Sequence, residues 1–375
     1  MKLAIIGAGP GGLYAALEAA KRNVSVDLYE KRRIGEGICC GECIFDFLDI
    51  MPQPGEGLLH GVHNVVLAGR RLYGIAIGRY RNLWMVDRKT WQQALARQAT
   101  DRGVRLFEGA DITPPRLLDM QREYDWIIDG SGAPSVASRA YHFTGEYFHE
   151  YMAACQVVLR GDFSSLHPRI KVGFFSDLPA ALQPGYYWIF PKEKGLANAG
   201  VVCTVRKALG GKPPGLKKRL ADMLDRENLR GCEILATGGG MSSARVLPRL
   251  VFDNLLLVGD AAGLTSPLHG GGIDTACLSG HLAASAIARG KRGVGGYEKR
   301  LHRHLRDKLA LENITVQKMR TLDFNGFDEL LAGVTSRSRA VRAGIALRHP
   351  DLLMAAYRLL RHKKHTLNGS VLQDA

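Results

Sequence analysis

Gly7, Gly9 and Gly12 stand in the spacing Gly-x-Gly-x-x-Gly, with Gly11 between the last two. Such a turn can wrap a pyrophosphate. Its first glycine permits the tight bend, its second lets backbone approach the phosphates, and its third allows a helix to pack closely on a strand. Glu30, 18 residues beyond Gly12, is spaced to accept hydrogen bonds from a ribose, and an acid there favours FAD or NAD over NADP. Far along the chain, Asp260 follows the apolar run 255–258 and precedes Gly270-Gly271-Gly272-Ile273. An aspartate at a strand end can hold a polyol or ribose hydroxyl. A glycine-rich helix entrance can bring N–H groups against a second phosphate or a flavin edge. A third chemical group is the thiol cluster Cys39-Cys40-Gly41-Glu42-Cys43.

These residues need elements to hold them. Residues 2–6 read as a short apolar strand, 12–21 as an alanine-rich helix and 24–29 as a second strand ending at Glu30, a βαβ unit around the glycines. Residues 255–258 read as a buried strand, and about 274–289 as a helix. Between them, Gly185-Tyr186-Tyr187-Trp188-Ile189-Phe190-Pro191, a short turn and residues 196–202 read as a hairpin. Period-2 alternation puts Tyr186, Trp188 and Phe190 on one face and Tyr187 and Ile189 on the other. The first face could wall a long hydrocarbon or simply pack on its own core.

At 375 residues the chain has room for two domains, or for one split domain with an insertion. A net charge of +15 points to an anionic partner or surface. Nucleic acid is the weakest choice, since no basic–aromatic or zinc-finger pattern accompanies the charge. The first residues form a folded element rather than a cleavable signal, and no apolar run approaches the ~20 residues of a membrane span. Seven cysteines, an odd number, fit a reducing compartment. The expected location is cytoplasmic, with peripheral association on the inner face of the membrane.

Taken in order, the glycine turn, Val86-Asp87-Arg88-x-x-Trp91 and the Gly-Asp-Ala-Ala-Gly…Pro…Gly-Gly-Gly-Ile run resemble the glutathione-reductase-type flavoproteins, in the para-hydroxybenzoate-hydroxylase branch. That resemblance implies an α/β Rossmann-type FAD-binding domain with an inserted antiparallel β-sheet substrate domain and a helical C-terminal part. It places Arg88 beside the FAD. Where hydroxylases of this branch carry an Asp for FAD and NAD(P)H, this chain has Ser131. Tyr-x-Trp-x-Phe-Pro at 186–191, Ala-Asn-x-Gly at 197–200 and Cys40-Gly41-Glu42 resemble the geranylgeranyl reductase family, although Cys43 stands where that family usually has glycine. The motifs that carry this likeness end near residue 290.

The resemblance implies reduction of isolated C=C bonds in a polyprenyl chain of a lipid, quinone or pigment. A hydride would come from flavin N5, and a proton would reach the other carbon. Tyr186, Trp188 and Phe190 would wall the substrate, and Cys40 would sit near the reacting carbon. The cofactor set would be Gly7, Gly9, Gly11, Gly12, Glu30, Cys40, Gly41, Arg88, Ala110, Asp260, Gly271, Gly272 and Ile273, with no metal. The electron donor stays open between NAD(P)H and a protein such as reduced ferredoxin. Rival readings are a flavin monooxygenase or halogenase, and an electron-transfer flavoprotein acting on a quinone. The expected domains are 1–58, 84–140 and 248–290 for FAD, 59–83 and 141–247 for substrate, and 291–375 for the helical region. The last is basic, and either caps the protein in solvent or lies against anionic lipid.

Overall fold

The computed structural model describes residues 1–77, 81–207 and 215–366. Its first half runs β1 (Lys2–Ile6), α1 (Pro10–Lys21), β2 (Ser25–Glu30), β3 (Cys43–Asp46), β4 (Leu58–Gly61), β5 (Val65–Ala68), β6 (Leu72–Ile75), β7 (Asn82–Val86), α2 (Arg88–Asp101), β8 (Arg105–Glu108), α3 (Pro114–Glu123), β9 (Trp126–Asp129) and α4 (Val136–Ala140). The second half begins with β10 (Glu150–Arg160), β11 (Ile170–Phe174), β12 (Gly185–Glu193), β13 (Leu196–Arg206), α5 (Leu216–Arg226), β14 (Glu233–Ser243), β15 (Val251–Phe252) and β16 (Leu255–Leu257). Helices close the chain: α6 (Ile273–Ala288), α7 (Lys291–Val294), α8 (Tyr297–Thr321), α9 (Phe324–Thr335), α10 (Arg339–Arg348) and α11 (Pro350–Thr366).

The strands β16, β9, β1, β2 and β8 lie side by side in parallel, with β15 antiparallel at the edge. Parallel strands buried on both faces must be apolar throughout. Leu3, Ala4 and Ile5 of β1 and Leu255–Leu257 of β16 are accordingly buried completely. Pro10 starts α1, where its fixed φ suits a first helical turn and its missing N–H is not needed. A Cβ on Gly280 of α6 would stand 2.0 Å from the Gly11 carbonyl oxygen, so small residues let α1 and α6 pack backbone to backbone.

A second sheet, ordered β14-β10-β13-β12-β11-β5-β6, sits beside the first and includes the expected hairpin β12–β13. One of its pairs, β5–β11, runs parallel, a departure from the antiparallel expectation. No hairpin joins those two strands: β5 arrives from the earlier segment, so a turn does not set its direction. Strands β3, β7 and β4 form a small third sheet, and Cys43 and Phe45 of β3 line the cleft. Among the described residues, no helix is long and apolar enough to cross a membrane.

Candidate cofactor and substrate site

The C-terminal ends of the parallel strands open into a cleft of about 760 Å³. All the site residues named from sequence line it except Gly12. Gly12 acts one layer below: a Cβ there would stand 1.9 Å from the Gly7 carbonyl oxygen, so it lets α1 start directly under the turn. Gly7 has φ +91°, a conformation that glycine adopts without strain. Gly9 differs from both, since a Cβ there would meet nothing within 4 Å and would project into open space. That empty space over a bare backbone at a helix entrance is what a pyrophosphate requires, so these residues fit a dinucleotide.

Glu30 ends β2, and its Oε2 accepts the Ala8 N–H at 2.8 Å, which leaves the carboxylate tied to the turn it serves. Arg88 opens α2, where Asp87 caps the helix by accepting the Thr90 N–H at 2.8 Å. The Arg88 guanidinium donates to Gln92 Oε1 at 2.6 Å, and Gln92 Nε2 donates to the Ala8 carbonyl at 3.2 Å. Gln92 thus fastens the arginine to the glycine turn. Burial raises the Asp260 carboxyl, against the Thr265 hydroxyl that donates to it at 2.9 Å and the positive field of Arg88. Ser131 also lines the cleft, whereas Asp129 is completely buried, accepting N–H groups from Ser131 and Ala137 at 2.9 and 2.7 Å.

The aromatic strand forms the opposite wall. Tyr186, Trp188 and Phe190 face the cleft, while Tyr187 and Ile189 enter a separate core beneath the sheet. Trp188 Nε1 donates to Asn198 Oδ1 at 2.8 Å, and Asn198 Nδ2 donates to the Cys40 carbonyl at 3.2 Å. Gln156 Nε2 donates to the same carbonyl at 3.2 Å. A Cβ on Gly41 would approach Phe190 to 3.1 Å and Trp188 Nε1 to 3.3 Å, so the cysteine segment needs glycine where it rests on the wall. Glu42, at φ +59°, accepts the Arg88 N–H at 3.1 Å and pairs with Lys192 at 2.8 Å. The two spaced motifs are therefore one hydrogen-bonded unit.

All seven cysteines are free thiols. Burial raises the Cys39 thiol, helped by Cys40 and opposed by Arg88, and burial pushes Cys43 up to about 12. Both stay protonated near neutrality, which suits them to packing or proton donation rather than to nucleophilic attack.

Behind Phe45 in the cleft wall, Asp46 is fully buried and accepts the Ile50 and Met51 N–H groups, each at 3.1 Å. Burial pushes its carboxyl up to about 7, with Asp274 and Asp49 adding and the two backbone bonds opposing. The folded protein therefore keeps a proton that the unfolded chain releases near pH 4. This group's stabilisation is complete below about pH 4 and is lost as pH rises through about 7. Asp46→Asn should flatten that decline, which is at most about 1.4 kcal/mol per pH unit. Urea midpoints from pH 4 to 8 read the effect, and equal slopes for the two proteins would contradict it.

A family model described as an NAD(P)-binding Rossmann-like domain matches residues 5–43. The digeranylgeranylglycerophospholipid reductase of Methanosphaerula palustris is 30% identical over 312 residues, spanning 77% of this chain and 77% of its own. The chain belongs to the geranylgeranyl reductase family. The structure of a geranylgeranyl bacteriochlorophyll reductase-like protein from Thermoplasma acidophilum superposes with a TM-score of 0.76 at 22% identity, covering 96% of this chain and 98% of that one. A flavin-dependent brominase matches with a TM-score of 0.62 at 18% identity, over 93% of this chain and 99% of its own. The fold is thus shared with flavin-dependent enzymes. The likeness in fold to the Thermoplasma protein extends well beyond residue 290, where the recognisable motifs end.

Sequence reasoning missed Gln92, Gln156 and His269, all of which line the cleft. None sits in a spacing that marks a site, and their roles follow only from which backbone atoms the fold brings beside them.

Proposed function

We propose that the chain holds one FAD in this cleft and reduces isolated C=C bonds of a polyprenyl chain in a lipid, quinone or pigment. The observation that carries the reading is the joining of the cysteine segment to the aromatic wall through the Cys40 carbonyl, Asn198 and Trp188, across the cleft that the glycine turn also lines. When bound and reduced by an external electron donor, FAD would supply the hydride that such a bond requires. Gly7, Gly9, Glu30, Arg88 and Asp260 hold its phosphates and hydroxyls, while Ala110 and residues 271–273 border it. Gly11 and Gly12 keep the helices close enough to shape the turn. Tyr186, Trp188 and Phe190 exclude water from an alkene that has no carbonyl to spread charge. Cys40, which lines the cleft beside this wall, is the candidate to give the second carbon its proton.

Anaerobic incubation of the dithionite-reduced protein with geranylgeranyl diphosphate, a prenyl ether lipid and menaquinone tests the reading. Products heavier by hydrogen pairs in mass spectra are expected. Bound, reducible FAD with no reduction of any of the three would reject it. Repeating the assay with NADPH or with reduced ferredoxin in place of dithionite identifies the donor.

The same reading places the protein on anionic lipid through its last helices. Helix α10 buries no residue, and Leu347 is 83% exposed. Val341, Leu353, Met354 and Tyr357 are exposed as well, amid exposed Arg337, Arg339, Arg342, Arg348 and Arg358. Apolar side chains set among arginines suit the interface of an anionic bilayer, where each basic residue contributes about 1 kcal/mol. The side chains of Arg361, His362, Lys363, Lys364 and His365 lie outside the described residues. Vesicles containing phosphatidylglycerol should sediment the protein, and neutral vesicles should not. Leu347→Asp with Leu353→Asp should weaken that binding at least about tenfold, and unchanged binding would count against this surface.

A further inference from the structure

Lys308 and Glu312, one turn apart on α8, are both fully buried. Lys308 Nζ lies 3.2 Å from Glu312 Oε1 and 4.0 Å from Asp274 Oδ2 at the start of α6. Glu312 Oε1 lies 3.4 Å from His269 Nε2, which carries the group to the cleft wall. Burial alone would raise the Glu312 carboxyl, but Lys308 and His269 outweigh it and hold it down at about 2. Burial alone would lower the Lys308 ammonium, but Asp274 and Glu312 outweigh it and raise it. A buried ion pair of this kind is not needed for stability, since apolar residues of the same volume would commonly serve as well. Its placement invites a role in the site.

His269 makes a different contact on each side. Its Nδ1 accepts the Gly271 N–H at 3.2 Å, and its carbonyl accepts the Tyr186 hydroxyl at 2.6 Å. Its ring lies 5.0 Å from Phe45, centroid to centroid. A Cβ on Gly271 would stand 2.7 Å from Nδ1, so the ring is wedged against the glycine turn. In a neutral imidazole one nitrogen donates and the other accepts. Glu312 stands 3.4 Å from Nε2, an electrostatic contact rather than an aligned hydrogen bond, and its negative charge favours the proton there and leaves Nδ1 free to accept from Gly271.

We propose that His269 is a positioning residue: Glu312 and Lys308 fix its tautomer, and His269 in turn sets the Gly271 turn and the Tyr186 end of the aromatic wall. Helix α8, outside every motif of the chain, is thereby part of the site. The proposal rests on the reading that the glycine turn borders FAD.

Three variants of the full-length protein, with ring 15N spectra, test it. Wild-type His269 should show the Nε2–H tautomer. Glu312→Gln, whose amide can present either oxygen or NH2 to Nε2, should show a mixture. His269→Phe keeps a ring but no acceptor, so hydrogen exchange at the Gly271 amide and the FAD dissociation constant should both rise about tenfold. His269→Asn restores an acceptor near the Nδ1 position and should return both towards wild type. An Nδ1–H tautomer in the wild type, or unchanged exchange and affinity in His269→Phe, would overturn the proposal. If His269→Phe does not fold, the wild-type tautomer and the asparagine variant still decide. A wild-type protein that binds no FAD would defeat the cofactor reading instead, and the spectra and exchange of the apoprotein would still report on His269.

Discussion

Replacing Gly9 with valine is expected to give a folded apoprotein that no longer retains FAD. The backbone at Gly9 has φ −71° and ψ 178°, an extended conformation that valine adopts readily. A Cβ there meets no protein atom within 4 Å, so the side chain branches in open space on the cleft side of the turn. The added methyls instead fill the space in which a phosphate would lie against the N-terminus of α1. The dissociation constant for FAD should rise at least about 100-fold, equivalent to about 2.7 kcal/mol. The apoprotein's unfolding free energy should change by no more than about 0.5 kcal/mol. Flavin content after purification and urea unfolding of the apoprotein read the two effects separately.

Gly12→Ala should behave in the opposite way. Its Cβ would stand 1.9 Å from the Gly7 carbonyl oxygen, a backbone atom that no rotamer change can move aside. Stability and cofactor should therefore be lost together. A Gly9 variant with normal flavin content would show that the dinucleotide does not lie over this turn.

The contrast between those two glycines shows how far the sequence could be read. Their spacing identified the turn, because a pyrophosphate site imposes fixed offsets along a single stretch of chain. The faces of the aromatic strand were equally legible, since alternation depends on neighbouring residues alone. Asn198 was visible as part of a motif, but its contact with the Cys40 carbonyl was not, because 158 residues separate the two. Gln92, lying between Arg88 and Ala8, looks from sequence like any polar helix residue. The basic C-terminal stretch misled in another way. A Lys and a Glu at positions i and i+4 normally mark a solvated helix face. Here that pair is the one α8 turns inward, and only the docking of α8 beside the start of α6 reveals it.

That inward pair carries the second large effect. Lys308→Met should destabilise the protein by about 3–5 kcal/mol at neutral pH, because Glu312 must then either carry an unpaired charge in a buried site or take up a proton that the unfolded chain lacks. Adding Glu312→Leu should recover part of that loss, since it removes the Glu312 charge while Asp274, the other carboxylate beside Lys308, stays buried without its cation. Urea unfolding of the two single variants and the double gives the coupling directly. Simple addition of the two single effects would mean that the pair is not an energetic unit.

The pH dependence supplies an independent sign. In the wild type the Glu312 carboxyl is held at about 2, so its stabilisation is present above about pH 4.5 and lost as pH falls towards 2. Without Lys308, only His269 still opposes burial, and the carboxyl is expected to rise. The folded variant would then hold a proton that the unfolded chain releases near pH 4.3, and this group's stabilisation would be lost as pH rises. Lys308→Met should therefore come closest to wild-type stability in mild acid. A helix that merely lost a solvated lysine would converge in the same direction but by no more than about 1 kcal/mol, so the size of the change separates it from a buried charge pair.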